Sequence, residues 1–304
     1  MSAGNVMQRQ RYADIFFSRL PFLDDIIFGS FNAPGLTYPE VFNIMDSERA
    51  FENHTAYTGF GLFSAKTEGD AVNYDTILQG FDKQFIHTTY ASGFQITREG
   101  LMDDIDNILT DAAPELGRAA QSSIETQIWS VFNNSFSTET SSDGQAIFSN
   151  SHPLVGGGTF DNLINGDFGV TNLQSALNVF DDMRDDRNLL IDTSAAKIVY
   201  PPELRWIVDE VLNSERKPGT ANNNTNSIRN QAGLSPLMVK YLTGAKDWFV
   251  GMSKEQTKFI VYWRETPVTD SSIDFDTGNM KTMMLYRLSF GVTDWRGWVG
   301  AQGV

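Results

Sequence analysis

One long amphipathic segment, from Thr97 to about Asn134, constrains the fold of this chain more than any other feature. Apolar residues recur through it at intervals of three and four, which is the period of a helix with one buried face. An unbroken helix of this length spans about 55 Å at 1.5 Å per residue. Pro114 predicts either a kink or a second helix that begins there. We therefore expect a strut buried along one side, through Leu101, Ile105, Ile108, Leu109, Ala112, Leu116, Ala119, Ala120, Ile124, Ile128 and Phe132.

A second strong pattern lies from Thr282 to Gly300. Its even-numbered positions are apolar from Met284 to Val292, which predicts a half-buried strand. The segment ends in Asp294-Trp295-Arg296-Gly297-Trp298, where two tryptophans flank an arginine. Trp and Arg often anchor protein interfaces, but a buried C-terminal strand has the same composition. We therefore predict that this cluster is an anchor, either within the chain or against a neighbouring molecule.

The composition is that of a globular protein and excludes several kinds of chemistry. Of 304 residues, 41% are hydrophobic and 20% are charged, which is enough apolar material for a large core. The absence of cysteine excludes disulfides and thiolate sites, and three widely spaced histidines do not suggest a metal site. The net charge of −15 disfavours sequence-specific binding to nucleic acid. No signal peptide and no membrane-spanning segment is evident, so we expect a soluble protein made inside the cell.

The other segments suggest a chain with projecting parts. Residues 1–58 hold scattered apolar clusters and several prolines, so we expect an arm that lies across another surface. Residues 59–97 have the pattern of a β-hairpin with a charged tip at Lys66-Thr67-Glu68-Gly69-Asp70. Such tips usually project into solvent or onto a partner. From Thr171 onward, helical and strand patterns alternate, which predicts a second lobe.

No motif has the spacing of a catalytic or metal site. Asp274–Asn279 begins like a calcium-binding loop but lacks its later glycine and acidic residue, so we expect a tight turn. Gly156-Gly157-Gly158 lacks the following lysine of a phosphate loop. Ser151 and His152 are neighbours, whose side chains point to opposite faces of an extended chain. The Asp pairs suit solvated helix faces better than a glycosidase site. We therefore predict no enzyme activity, no cofactor and no metal.

Four segments, spread over roughly residues 90–300, are together similar to one protein family. They are Phe94–Asp104, Asp143–Leu154, Tyr262–Arg264 and Tyr286–Gly300. In this order they resemble the start of the spine helix, the segment after it and the C-terminal strands of tailed-bacteriophage major capsid proteins. The last three are most similar to the Mu-like major head subunit branch.

The resemblance implies an α+β architecture, the Hong Kong 97-type tailed-phage capsid fold. That fold has an N-terminal arm, an extended hairpin called the E-loop, a peripheral domain with the spine helix, and an axial domain. The expected divisions are 1–58 for the arm, 59–93 for the E-loop, 94–170 for the peripheral domain, 171–265 for the axial domain and 266–304 for the returning C-terminal strands.

The resemblance also implies a structural function. The chain is expected to assemble into pentamers and hexamers of an icosahedral phage head that encloses double-stranded DNA. Its partners would be copies of itself, a portal and a separate scaffolding protein, because the hairpin starts too near residue 1 for a fused scaffolding segment; decoration proteins stay open. It would be located in the virion after assembly in the host cytoplasm. Two alternatives stay open: an encapsulin-type nanocompartment shell, and an acidic soluble hydrolase.

Nine residues are our candidates for subunit interfaces. Some relatives crosslink an E-loop lysine to a neighbour's asparagine, but no motif here supports such a bond between Lys66 and Asn279 or Asn226. We expect Lys66 to be an ordinary salt-bridge or solubility residue instead. The candidates are Arg9, Arg11, Lys66, Glu68, Asp70, Arg98, Trp295, Arg296 and Trp298.

Overall fold

The structure is a computed structural model that describes residues 22–32, 35–103, 108–216, 224–230 and 233–303. Its helices are residues 22–32 (α1), Arg98–Asp103 (α2), Ile108–Asn133 (α3), Val170–Asp181 (α4) and Arg205–Asn213 (α5). Its strands are Asn43–Asp46 (β1), Phe51–Tyr57 (β2), Gln79–Ile86 (β3), Thr88–Ile96 (β4), His152–Pro153 (β5), Thr159–Phe160 (β6), Leu163–Asn165 (β7), Lys197–Tyr200 (β8), Ser235–Met238 (β9), Trp248–Gly251 (β10), Phe259–Ile273 (β11), Met280–Val292 (β12) and Trp298–Gln302 (β13).

The chain forms two compact units. Unit 1 contains residues up to Thr37, His87–Gln127 and Trp263–Ser289. Unit 2 contains Tyr38–Ile86, Ile128–Tyr262 and Phe290 onward. Each unit is therefore built from segments that lie far apart in the sequence.

The start of the predicted long helix is α2, and residues 104–107, which include Ile105 of the predicted face, lie outside the described residues. From Ile108 onward the prediction is confirmed as α3, which contains Pro114 without ending there. In unit 1 it packs against α1, whose Leu23, Ile27 and Phe31 are buried at the helical spacing of four. The two backbones meet at Gly117, where a Cβ atom would lie 2.2 Å from the carbonyl oxygen of Ile27. The predicted face differs at Ala119, which is exposed.

The strand predicted after Thr282 is confirmed as β12. In unit 1 it pairs antiparallel with β4, from Met280 opposite Ile96 to Leu288 opposite Thr88. Met284, Tyr286 and Leu288 are buried as the period of two predicts. The Tyr286 hydroxyl forms hydrogen bonds with Ser123 Oγ (2.9 Å) and Gln127 Oε1 (3.2 Å) of α3. These bonds fasten the buried face of the strand to the helix.

Unit 2 is built around a five-stranded sheet in the order β7-β13-β10-β8-β9. The central pairs β10–β13 and β10–β8 are antiparallel, and the outer pairs are parallel. One face is covered by α4 and α5, and the core between them includes Leu173, Phe180, Val208, Val211, Ile198, Trp248, Val250 and Val299.

The opposite face of this sheet is covered by an aromatic cluster centred on Phe132. The Phe132 ring lies 4.9 Å from Phe249, 5.2 Å from Trp298 and 5.3 Å from Phe259, measured between ring centroids. Because both faces are covered, all four residues of β10 are buried. The sequence of β10 therefore does not alternate between polar and apolar residues.

Strand β9 is the last in the order of this sheet, next to β8. The amides of Ser235 and Val239 donate to Ala196 O and Tyr200 O, each at 2.9 Å. Since successive backbone amides alternate in direction along a strand, residue 236 faces away from β8. That position is occupied by Pro236.

The projecting hairpin differs in its limits from the prediction. Its paired strands are β2 and β3, from Phe51 opposite Ile86 to Tyr57 opposite Gln79. The pairing thus begins before residue 59, and residues 58–78 between the strands have no regular structure. Strand β4, which the prediction included in the hairpin up to residue 93, pairs with β12 instead. We refer to residues 58–78 as the projecting loop.

One other prediction is corrected. Residues 38–57, placed in an arm without a core, include buried Tyr38, Val41 and Phe42 and the strands β1 and β2.

The short helix α5 exposes part of its apolar surface. Ile207 is 43% exposed, and Trp206 beside it is 73% exposed. The inward face of α5 is formed by Val208 and Val211.

Candidate functional site

The tryptophans of the C-terminal cluster lie inside unit 2. Trp295 is 2% exposed and Trp298 is 1% exposed. The Trp295 ring stacks on His152, with centroids 4.3 Å apart, and on Phe160 at 5.2 Å. Of the two roles predicted for these side chains, the structure shows the internal anchor. As surface anchors for a neighbouring molecule they are corrected, because neither ring reaches the surface.

Arg296 is the polar centre of the same cluster. Its Nη2 atom lies 2.8 Å from Asp186 Oδ1, and its Nη1 atom lies 3.1 Å from Asp294 Oδ1. Its Nε–H group donates to the carbonyl oxygen of Arg184 at 2.8 Å. Burial lowers the pKa of Arg296, but the two carboxylates outweigh this effect and hold the pKa above its usual value. The side chain therefore connects the turn at residues 184–190 to the start of β13.

Arg296→Ala is expected to lower the free energy of unfolding of unit 2 by about 2–3 kcal/mol, because it removes the guanidinium that two carboxylates and a carbonyl share. Urea unfolding measures the loss. Arg229→Ala is the matched control: Arg229 pairs with Glu215 at 2.9 Å, but both side chains are well exposed. Its expected effect is below about 1 kcal/mol. An Arg296→Ala protein as heat-stable as the wild type would contradict the assignment.

A buried histidine lies behind Trp295. His152 Nδ1 is 2.6 Å from Asp143 Oδ2, and His152 Nε2 is 3.0 Å from Asn162 Oδ1. The Asn162 amide nitrogen donates to Ile147 O and Trp298 O, which identifies its oxygen as the acceptor. Both ring nitrogens thus face oxygen atoms of neighbouring side chains.

This histidine is structural in its contacts. Burial raises the pKa of Asp143, but hydrogen bonds from His152 and Ser141 outweigh burial and hold the pKa below its usual value. Ser151 is exposed while His152 is fully buried, so the expected opposite orientation of the two neighbours is confirmed. Neither nitrogen of the ring is available to activate Ser151.

The charged residues predicted at the hairpin tip lie in the projecting loop. Lys66, Glu68 and Asp70 are exposed there. The loop also exposes large apolar side chains, with Leu62 85% and Phe63 96% exposed. The two sides of the loop form an open pocket of about 710 Å³ that is lined by the loop's own residues. The projecting loop is therefore an exposed segment that presents both charged and large apolar side chains.

The remaining predicted residues do not join a common site. Arg98 is exposed at the start of α2. Arg9 and Arg11 lie outside the described residues. The turn at residues 274–279 is closed by backbone hydrogen bonds from Asp274 N–H to Asn279 O (2.9 Å) and from Gly278 N–H to Asp274 O (2.8 Å), and Asp274 Oδ2 binds Lys281 at 2.6 Å. The expected tight turn is confirmed.

One contact of the loop had no signal in the sequence. Asp75, in the projecting loop, pairs with Arg187 in the turn before β8. Nothing in the spacing of two residues so far apart predicts their contact. In the described ranges no group of three His, Asp or Glu side chains is arranged to hold a metal ion, and no helix there is long and apolar enough to cross a bilayer.

Comparison with known proteins identifies a family that this chain matches. The family described as "Phage capsid protein" matches residues 82–301. A search of curated protein sequences gives no significant match.

Three solved structures are similar over most of their length. The "Capsid structure of the Cyanophage P-SCSP1u" has a TM-score of 0.61 at 10% identity, covering 89% of this chain and 88% of that one. A chain from "Microbacterium phage Oxtober96" has a TM-score of 0.59 at 11% identity, covering 89% and 91%. The "Capsid of bacteriophage JBD30 decorated with minor capsid protein trimers" has a TM-score of 0.53 at 14% identity, covering 68% and 91%. At these identities the similarity shows the fold alone.

Proposed function

Since this chain belongs to the phage capsid protein family, we propose that its copies assemble into the pentamers and hexamers of an icosahedral phage head. The chain is a structural capsid protein with the tailed-phage capsid fold. The proposed shell encloses double-stranded DNA, and the net charge of −15 suits a wall that faces DNA without gripping it. The proposed role involves no catalytic turnover.

The observation that carries the proposal beyond family membership is the projecting loop. It exposes Phe60, Leu62, Phe63, Val72, Tyr74, Ile77 and Leu78 within 21 residues. A contiguous apolar surface of this kind on a soluble protein marks a contact site. A second copy of the chain is the partner that a shell provides at every such site.

We assign the parts of the chain to those of the capsid fold. In this proposal β2, β3 and the projecting loop form the E-loop, and α3 is the spine helix of the peripheral domain. The five-stranded sheet with α4 and α5 is the axial domain, and β11 to β13 are the returning C-terminal strands. The described residues before Tyr38, which include α1, belong to the arm.

We propose that the chain is the major capsid protein and belongs to the Mu-like branch, on the similarity of its segments after α3. A portal and a separate scaffolding protein are its proposed partners, with assembly in the host cytoplasm. A decoration protein is proposed by analogy with the JBD30 capsid, which is described as decorated.

Electron microscopy of the purified chain, alone and with a scaffolding protein, tests the proposal. Closed shells or rings of five and six copies are the expected result. A protein that stays monomeric under all these conditions would refute it. Turnover that a single acid-to-amide change abolishes without loss of folding would instead support the hydrolase alternative.

The double substitution Leu62→Ser/Phe63→Ser is expected to prevent assembly without unfolding the subunit. Both side chains are exposed, so their loss removes little from the folded chain. Burying each against a neighbour contributes about 1.5–3 kcal/mol, so the pair accounts for roughly a hundredfold or more in association at each contact. Sedimentation velocity measures assembly, and circular dichroism measures folding.

The matched control is Leu62→Met/Phe63→Leu, which keeps apolar side chains of similar size and is expected to assemble. Serine variants that form normal shells at the wild-type concentration would show that these side chains are not at a contact.

A further inference from the structure

The two sides of the projecting loop are joined by one carboxylate. Asp75 Oδ2 accepts a hydrogen bond from the Gly61 amide at 2.7 Å, and Asp75 Oδ1 accepts one from the Thr76 amide at 2.8 Å. At the base of the loop, the Thr58 amide donates to Leu78 O at 2.9 Å. The loop is therefore closed on itself by Asp75 as well as by its strands.

Arg187 ties this carboxylate to the rest of unit 2. Its Nη2 atom lies 3.5 Å from Asp75 Oδ1 and also donates to the carbonyl oxygen of Thr76. The Arg187 side chain is 19% exposed and the Asp75 side chain is 39% exposed. A single guanidinium thus contacts both the side chain and the backbone of the loop.

The turn that presents Arg187 is itself fixed. Asp185 Oδ1 accepts hydrogen bonds from the amides of Arg187 and Leu189, each at 2.8 Å. Arg296 binds the Arg184 carbonyl and the Asp186 carboxylate, which belong to the residues directly before and after Asp185. The Arg187 side chain therefore extends from a hydrogen-bonded turn to a loop with no regular structure.

The contact is weak by comparison with that of Arg296. Arg296 meets two carboxylates at 2.8 and 3.1 Å, whereas Arg187 meets one at 3.5 Å. Within the described part of the chain, the buried Nε atom of Arg187 has no hydrogen-bond partner. A partly exposed pair of this kind biases an equilibrium by roughly twofold to fivefold, which orients a loop without locking it.

We propose that Asp75 and Arg187 are positioning residues, which hold the projecting loop in one orientation on the free subunit and keep it in that orientation when the loop docks onto a second copy. This inference rests on the proposed function. Because the pair holds the loop before docking, the loop loses fewer conformations when it docks.

Hydrogen exchange and sedimentation test the proposal on the full chain. Arg187→Gln removes the charge but leaves the backbone hydrogen bonds to Asp75. It is expected to speed exchange at the loop amides by roughly twofold to fivefold and to raise the concentration required for assembly by a similar factor. Its melting temperature is expected to stay within about 1 °C of the wild type. Arg187→Lys is expected to restore most of both effects, and Arg229→Gln, at the exposed pair with Glu215, is expected to change neither.

Several outcomes would overturn the proposal. Unchanged loop exchange in Arg187→Gln would show that the pair does not hold the loop. Faster exchange with unchanged assembly would show that the orientation does not matter, and a large fall in melting temperature would make Arg187 a structural residue. Wild-type subunits that never assemble would refute the proposed function instead, while the exchange measurement on free subunits would still decide whether Arg187 holds the loop.

Discussion

Trp298→Ala is expected to lower the free energy of unfolding of unit 2 by about 3–5 kcal/mol, the loss typical of a buried tryptophan. The Trp298 ring lies 5.2 Å from both Phe132 and Phe259. It also covers Gly251 on the neighbouring strand, where a Cβ atom would lie 2.5 Å from the ring. Because Gly251 has no side chain to fill the space, the cavity left by the ring cannot easily collapse.

Urea unfolding followed by circular dichroism measures this loss. Trp206→Ala is the matched control in the same unit, because Trp206 is 73% exposed and its removal is expected to change stability by less than about 0.5 kcal/mol. Equal effects of the two substitutions would show that the indole of Trp298 is not part of the core.

Gly117→Ala is expected to destabilise unit 1 by roughly 1–3 kcal/mol, the usual result of forcing atoms into a packed core. This sign is the reverse of the ordinary rule, since alanine is favoured over glycine inside a helix by about 1 kcal/mol. The reversal follows from the 2.2 Å separation between the new Cβ atom and the Ile27 carbonyl oxygen. That oxygen belongs to the backbone of α1, so one helix must move.

Gly29→Ala is the control for the difference in helix propensity between alanine and glycine. Gly29 is exposed on α1, and a Cβ atom there meets nothing within 4 Å. It is expected to raise stability by about 0.5–1 kcal/mol. If differential scanning calorimetry shows both glycine substitutions to be stabilising, the helices do not pack as closely as the structure has them.

The helix α3 and the strand β12 were predictable, because the apolar period that identifies each of them lies within one segment of the sequence. The stripe through Leu116, Ile124 and Phe132 identifies α3, and alternation through Tyr286 identifies β12. The limits of the hairpin were not predictable. Phe60, Leu62 and Phe63 have the composition of a strand, but in the structure they are exposed in a loop, while the more polar segment Phe51–Tyr57 forms the strand.

The site was less predictable than the fold. Tryptophan and arginine suit a core as well as an interface, so the burial of Trp295 depends on residues far away in the sequence, such as His152. The same holds for Arg187 and Thr76, which are 111 residues apart. The pattern of one segment predicts which of its faces is buried. It does not predict which other segment covers that face.

Pro236, at the edge of the five-stranded sheet, affects how copies of the protein interact when many are present together. An exposed edge strand invites pairing with the same strand of another molecule, and the outcome is a growing fibre. Pro236 takes away one outward N–H group of β9, because the amides on either side of it point to β8. Subunits that assemble into one shell meet each other constantly. Because one backbone N–H group is missing at this edge, two copies cannot pair fully through their backbones there. Contacts between copies then depend on side chains, which can distinguish a correct neighbour from a wrong one.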